Sequence, residues 1–419
     1  MALVWLIHIC IIIWLMLRFR LSWRNSPVIG YFWYGIAAKI IGGALFGLYY
    51  QFFGQGGDTW SFFESSKIMA YWGTTNPWHY IKSLAGGPVP DSLLKEIGFA
   101  GQPRALFMVK IVSVFSLATG NSFWLTSCYF SLFSFSGMWT LADRVAKSYP
   151  GSGKAAMAAF IFLPTAIFWG SGISKEAIFM GGFGFLTAWF WPWFRHESGV
   201  RIIKWLSGLV MLLILFQLKY YYVAVLIPVL LSTVLQSKIV KDDTSVVLVH
   251  SIWLLMFVTL LFLASWFHPN LRLDHLANLV INNAGELFMN SSSSALIHFR
   301  DHTYPLKWMV INFPWAVFSG LLRPNLGDWG TIFQNLAVVE HLVISIFLFG
   351  KTLSVLKWNF KQPDWLPCVI YILILSGLLT LSTPNFGTLV RFKVSYLPVF
   401  MFLVLYRNRW WDQLVYKFP

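Results

Sequence analysis

"LVWLIHICIIIWLML", residues 3–17, carries no charged side chain, and the cationic stretch "RFRLSWR" (18–24) follows it directly. With its neighbours the run covers 2–18, close to the roughly 20 apolar residues that a helix needs to cross a bilayer. The arginines mark its C-terminal end as cytoplasmic. No small-residue cleavage site follows, so the expectation is a retained first membrane helix and not a signal peptide. The whole chain reads the same way. Of its 419 residues 57% are hydrophobic and 11% charged, and the mean hydropathy is +0.64. Soluble domains are about half apolar and about a quarter charged, so lipid is the principal solvent here. Aromatic residues make up 19%, with 23 Trp, as interfacial belts around many spans require. Lys and Arg outnumber Asp and Glu by 31 to 16. These cations sit in short loops between apolar runs, which is the positive-inside pattern; no nucleic-acid role is expected.

Apolar runs of spanning length occur near 2–18, 29–53, 105–120, 121–141, 155–171, 177–194, 202–218, 220–236, 246–267, 332–350, 365–382 and 388–406. The expected fold is all-α: a polytopic integral membrane protein of about 11–13 transmembrane helices in a single domain, 1–419. A shorter run, 308–322, is interrupted by Asn312 and Pro314. Two long loops remain, 54–104 and 268–306, the first of them partly helical and the second carrying "NSSSSALIHFRDH" (290–302). Cys10, Cys128 and Cys368 lie in or beside apolar runs without metal spacing and read as packing residues.

Basic clusters at 18–24, 143–154, 194–204, 237–243, 351–361 and 407–411 all call for the cytoplasmic side. Placing them there requires 105–141 to cross an odd number of times and 308–322 to dip in and return. About 15 residues around a proline are short for a span, and irregular backbone is tolerated at membrane depth when buried in protein. With that orientation the unusual polar stretches all open on the outer face.

Four of those stretches could carry chemistry. In "GQGGDTWSFFE" (54–64) Asp58 is either an acidic N-cap with Glu64 as a nearby first-turn carboxylate, or a general base or metal ligand at a cavity mouth. The two roles are compatible, and the preceding glycines permit close backbone approach. In "FWGSGISKEAIFM" (168–180) Lys175 and Glu176 open a helix whose free amides and lysine suit phosphate; the plainer account is a dipole-favoured Glu176 and a snorkelling Lys175. There is no GxxxxGK[ST] sequence, so a nucleotide P-loop is dismissed. In 318–344, Arg323, Asn325 and Asp328 precede Glu340 and His341, ionisable residues inside an apolar helix that serve either a structural ion pair or a site. In 381–400, Arg391 and Lys393 lie at the outer end of the last span, where a guanidinium can snorkel or bind phosphate. "LKYYYVAV" (218–225) reads as an aromatic belt, and His268, His275, His298 and His302 show no zinc spacing.

Together these stretches resemble the GT-C superfamily of polytopic membrane glycosyltransferases, of the bacterial surface-polysaccharide type. The likeness rests on the Gly-Gly-Asp-Thr opening of the first outer loop, the "LPTAIFWGSGISKEA" hairpin, the "LRP…W" segment before an acid in the next helix, and "NFGTLVRF" near the last span. It covers the layout of most of the chain. The resemblance implies a donor sugar on a polyprenyl phosphate, a glycan or lipid acceptor, and an active site facing outward from the bacterial inner membrane, with membrane lipids as surroundings. It makes Asp58 the catalytic carboxylate. Lys175, Glu176, Arg323, Asn325, Glu340, Asn385, Arg391 and Lys393 become substrate-binding candidates, with Lys175, Arg323 and Arg391 facing one cavity. The chain departs from the family pattern in two ways: the first loop has no adjacent acid pair, and no large soluble C-terminal domain follows. No cofactor is certain, and a divalent cation (Mg or Mn) is the one the resemblance admits. Two alternatives stand beside it: a polymerase joining lipid-pyrophosphate-linked repeat units, which would lean more on arginines, and a transporter or flippase of lipid-linked oligosaccharides.

Overall fold

A computed structural model of the chain describes residues 2–54, 56–99, 101–194, 202–240, 244–291, 296–352 and 365–417. It is 83% helical, with no strand among the described residues, as the apolar runs predict. The basic clusters at 194–204, 237–243 and 351–361 lie wholly or partly outside the described residues, as does the serine run of the second loop.

The helices are α1 (Ala2–Ser22), α2 (Phe32–Phe52), α3 (Gly57–Thr75), α4 (Pro77–Leu84), α5 (Asp91–Ile97), α6 (Pro103–Ala118) and α7 (Phe123–Ser148). There follow α8 (Gly153–Ala156), α9 (Pro164–Trp169), α10 (Lys175–Phe194), α11 (Ile202–Ile239), α12 (Val246–Phe267), α13 (Leu273–Asn290) and α14 (Pro305–Leu322). The last are α15 (Ile332–Thr352), α16 (Trp365–Ser382), α17 (Phe386–Phe392), α18 (Leu397–Leu405) and α19 (Arg409–Lys417). Local sequence signals explain many of the starts. Prolines open α4, α6 and α14 at positions whose N–H has no helical partner. Ser122, Ser245 and Asn385 cap α7, α12 and α17 by accepting a backbone N–H three residues on.

Seven of these helices are long and apolar enough to cross a membrane, and up to nine spans result if each of two bent pairs is counted as one. The number is below the eleven to thirteen counted from apolar runs, for three reasons. The run 155–171 breaks into α8, a π-helical turn over Met157–Ile161 and α9. The runs 105–120 and 121–141 become α6 and α7, bent by 117° across a short break. The runs 202–218 and 220–236 join in α11, yet Lys219 between them is not helical (φ −147°, ψ 58°), so the sequence division is retained as a kink.

The short run 308–322 departs from expectation more clearly. It does not dip and return: α14 is one continuous 18-residue helix with Pro314 inside it. Proline removes one backbone donor, and that alone does not end a helix whose flanks are held. Asn312 faces inward, accepting from Arg300 N at 2.9 Å and donating to Arg300 O at 2.9 Å and Trp308 O at 3.0 Å. The asparagine that looked like an interruption is a clamp on the preceding segment.

The chain divides into two compact units. The first comprises Met1–Gly153, Ala166–Phe185 and Ser207–Tyr220; the second comprises Lys154–Thr165, Leu186–Leu206 and Tyr221–Pro419. Inside the first unit α2 packs on α7 and α3 on α6. Backbones approach very closely where α7 meets α10: a Cβ on Gly137 would lie 1.9 Å from Gly181 O, so only glycine fits. Inside the second unit α14 packs on α16 with α13 beside both, around Trp308, Ala316 and Leu381.

Candidate functional site

In the first unit the turn before Asp58 is dictated by its glycines. Gly56 and Gly57 have φ of +83° and +49°, and a Cβ on Gly57 would sit 2.2 Å from the Tyr50 ring. The close approach that the glycines permit is therefore to Tyr50. Trp60 locks the turn from the other side, stacking on Phe123 at 3.8 Å and donating from Nε1 to Gly47 O at 3.0 Å. Asp58 is exposed, and it is not the N-cap: that position belongs to Gly56, and Asp58 lies one residue into the helix. Glu64 is also displaced from its expected first-turn place. It sits two turns along α3 in an i,i+3 ion pair with Lys67.

The "WGSGISKEA" hairpin is pinned from beneath by a residue that the sequence reading passed over. Lys39 of α2, fully buried, donates to Ala166 O at 2.8 Å, Gly170 O at 3.0 Å and Ser134 Oγ at 3.1 Å. Its ammonium thus meets the carbonyl end of α9, where a cation is favoured. Gly172 (φ +68°) donates from its N–H to Ser131 Oγ at 2.9 Å, and Ser174 caps α10 through Ala177 N at 3.0 Å. The result fixes Lys175 and Glu176 in the first turn of α10.

Those two residues lead into two runs of contacts. The Lys175 ammonium lies 5.0 Å over the Phe62 ring. Phe62 is four residues from Asp58 on α3, so both belong to one helix face. Phe62 also packs on Phe99 at 5.3 Å, just ahead of α6. Near the start of α6 the exposed Arg104 holds its guanidinium 5.5 Å over Tyr220. Beside Tyr220, at the kink of α11, buried Lys219 donates to Glu176 Oε1 at 3.1 Å. The first unit therefore joins Lys175 to the Phe62 side of α3, which also carries Asp58, and joins Glu176 through Lys219 and Tyr220 to Arg104. A lone cation near a helix N-terminus opposes the dipole, and that is the signal which could have singled out Arg104 in "GQPRALF".

The remaining candidates belong to the second unit. Arg323 and Asp328 form a two-pronged ion pair, with Nε to Oδ2 at 2.9 Å and a second bond from a terminal nitrogen to Oδ1. The guanidinium also lies 4.9 Å over the Phe386 ring. Asn325 N–H donates to Asp328 Oδ2 at 2.9 Å while the Asn325 side chain accepts from Gly327 N at 3.0 Å. Burial pushes the Asp328 carboxyl up, but the hydrogen bonds from Arg323 and Asn325, with the charges of Arg323 and Lys393, outweigh it and hold the carboxyl below the ordinary range. Lys393 is fully buried; it donates to Arg323 O and to His341 Nε2, the latter at 2.7 Å. That bond sets the tautomer, since a nitrogen accepting from lysine leaves the His341 proton on Nδ1, which reaches Ala337 O at 2.8 Å. Glu340 accepts from Thr165 N at 3.1 Å and from the Thr165 hydroxyl, at the amino end of α9. Asn385 caps α17 and donates at 2.8 Å to Ser291 Oγ, at the C-cap of α13; most of 268–306, expected as a loop, is that helix. Arg391 is half-buried in the last turn of α17. In this unit Arg323, Lys393 and Glu340 already have protein partners for their charge.

Among the described residues no three His, Cys, Asp or Glu side chains gather as a metal ion would require. Asp58 has no second carboxylate beside it in the turn, so the donor set does not fit a protein-held divalent cation. Comparison with known proteins finds no matching family model, no matching curated protein and no matching solved structure.

Proposed function

We propose that this multi-pass membrane protein is a glycosyltransferase that moves a sugar from a polyprenyl-phosphate donor to a hydroxyl of a glycan or lipid acceptor. The observation that carries the reading is the run of contacts in the first unit around Lys175 and Glu176. An exposed carboxylate, Asp58, shares a helix face with the aromatic ring that supports Lys175, and Arg104 is joined to the neighbouring Glu176 through Tyr220 and Lys219. One acid and two cations are what such a transfer asks of a protein when the sugar arrives already activated on lipid.

In the proposed step the acceptor oxygen attacks the anomeric carbon while its proton passes to the Asp58 carboxylate. The bond between that carbon and the phosphate oxygen breaks, and its electron pair leaves with the polyprenyl phosphate. Lys175 and Arg104 meet the growing charge on the departing phosphate, an electrostatic contribution that is often the largest in catalysis. Glu176 and Lys219 neutralise each other and hold the helix starts in place. In this proposal, on the resemblance noted from the sequence, the chemistry takes place at the outer face of a bacterial inner membrane.

The test offers purified protein a panel of polyprenyl-phosphate-linked hexoses and pentoses, with membrane lipid and glycan extracts as acceptors. Labelled sugar should move, and free polyprenyl phosphate should inhibit competitively. Lys175→Ala and Arg104→Ala should each weaken that inhibition and reduce transfer, by about tenfold or more, since losing one preorganised partner of a developing charge costs up to about a thousandfold. Transfer and inhibition untouched by both substitutions would remove the phosphate site from these residues.

A second reading has its own observation. Ionisable groups buried at membrane depth often mark proton relays, and the second unit holds Glu340, His341 and Lys393 in its interior. In a proton-coupled transporter of lipid-linked glycans, the substrate would cross vesicle membranes chemically unchanged. A transferase alters it covalently, so the two are separated by analysing the product.

A further inference from the structure

The second unit holds a cavity that none of the candidate site residues lines. Its volume is about 490 Å³, within the range of roughly 300–1,000 Å³ usual for small-molecule sites. One wall is a face of α13, with Ile281, Gly285 and Phe288 at helical spacing, and Trp308 at the start of α14 adjoins it. The rest of the described lining, outside these two helices, is polar and consecutive: Asp301, His302 and Thr303.

That polar wall is held in place before any ligand arrives. Asn312 clamps the backbone of Arg300 through both its N–H and its C=O, immediately ahead of Asp301. Phe299 packs edge-on to Trp308 at 5.5 Å. His302 Nδ1 accepts from Tyr304 N at 3.1 Å, which in the neutral ring leaves the proton on Nε2 as a donor. The wall so offers two carboxylate oxygens as acceptors, one imidazole donor, and a hydroxyl that does both. Gly285 supplies an independent sign. Glycine inside a helix costs about 0.5–1 kcal/mol relative to alanine, and most helix-interior glycines in this chain are forced by a neighbour. At Gly285 an added Cβ would meet nothing within 4 Å. Packing gives no reason for glycine there; room beside the cavity does.

We propose that this cavity binds a neutral pyranose ring of a glycan. A sugar ring has an apolar face suited to the Ile281, Phe288 and Trp308 side and a rim of hydroxyls suited to Asp301, His302 and Thr303. No lysine or arginine is among the described lining residues, and the one full charge is negative. Phosphate and pyrophosphate are therefore repelled, and an uncharged polyol fits. In its role the site rests on the transferase reading, as a place for the sugar end of donor or acceptor. Its occupancy does not rest on that reading.

Saturation-transfer NMR on the full-length protein in nanodiscs tests it, with methyl glucoside, mannoside, galactoside and N-acetylglucosaminide as probes and choline as the cationic control. The Asp58→Asn protein is measured alongside, so binding is read even where transfer is absent. At least one glycoside should show saturation, and Gly285→Leu, whose side chain grows into open space, should weaken its binding by about tenfold or more. Asp301→Asn should weaken it as well, and an unchanged unfolding midpoint for Gly285→Leu would confirm that the fold is intact. Displacement of the glycoside by a polyprenyl-phosphate hexose assigns the donor's sugar; retention assigns the acceptor's. Silence from every glycoside, binding by choline alone, or signals indifferent to Gly285→Leu and Asp301→Asn would overturn the proposal.

Discussion

Single residues carry charge in this protein in three different ways. Lys39 uses a buried ammonium to gather carbonyls at a helix end, Asp58 presents a carboxylate outward, and Asp328 spends its charge on Arg323. The last case has a measurable pH signature. Because the Asp328 carboxyl is held below the ordinary range, its contribution to stability is fully present above the unfolded value, about 3.9, and is lost only as pH falls through the lower folded value. Breaking a buried pair by removing one partner costs about 3–5 kcal/mol; this pair is slightly exposed, and Asn retains part of the hydrogen bonding, so Asp328→Asn should cost less. The difference in unfolding midpoint between the two proteins should stay level from neutral pH down to about 4 and shrink in stronger acid. A difference that widens on acidification would contradict the ion-pair account. None of these pairings was legible from the sequence, since Arg104 and Tyr220, or Lys393 and His341, share no spacing rule.

At the scale of elements the sequence was far more informative. Apolar runs located the long helices except α3 and α13, which fall in the two stretches expected as loops, and "LKYYY" lies at the break in α11, where a lysine among tyrosines suits a boundary. The failures have physical causes. Pro314 reads as a break in the sequence, yet one missing donor does not end a helix whose neighbours are clamped, and 155–171 reads as continuous because composition is blind to a π-helical turn. The turn ahead of α3 is the element on which the proposed chemistry depends most. Gly57→Ala would force a side chain into a positive-φ position and against the Tyr50 ring, a combination that costs more than about 1 kcal/mol. It should displace Asp58 and lower transfer more than it lowers stability, read by rate and unfolding midpoint on the same preparation. Equal transfer by the variant would mean that the turn geometry is immaterial to the site.

For the molecule as a whole, the all-α membrane architecture follows from composition and run length. The proposed outward orientation and sugar chemistry rest on the polar stretches and their resemblance to membrane glycosyltransferases; the re-entrant 308–322 that the basic clusters called for is not formed. The structure narrows how that chemistry is read. It removes the N-cap explanation of Asp58, since Gly56 holds the cap, and so sharpens the substitution that separates a base from a structural acid. What remains for a structural role is a first-turn charge on the helix dipole, worth about 0.3–1 kcal/mol at an exposed site. Losing a general base costs about a hundred- to ten-thousandfold in rate. The decisive measurement is therefore sugar transfer from a polyprenyl-phosphate donor by Asp58→Asn protein, at membrane levels matched to the unsubstituted chain. Transfer should fall by at least about a hundredfold while the unfolding midpoint moves little. Transfer within a few-fold of the unsubstituted chain would contradict the assignment of Asp58 as the base.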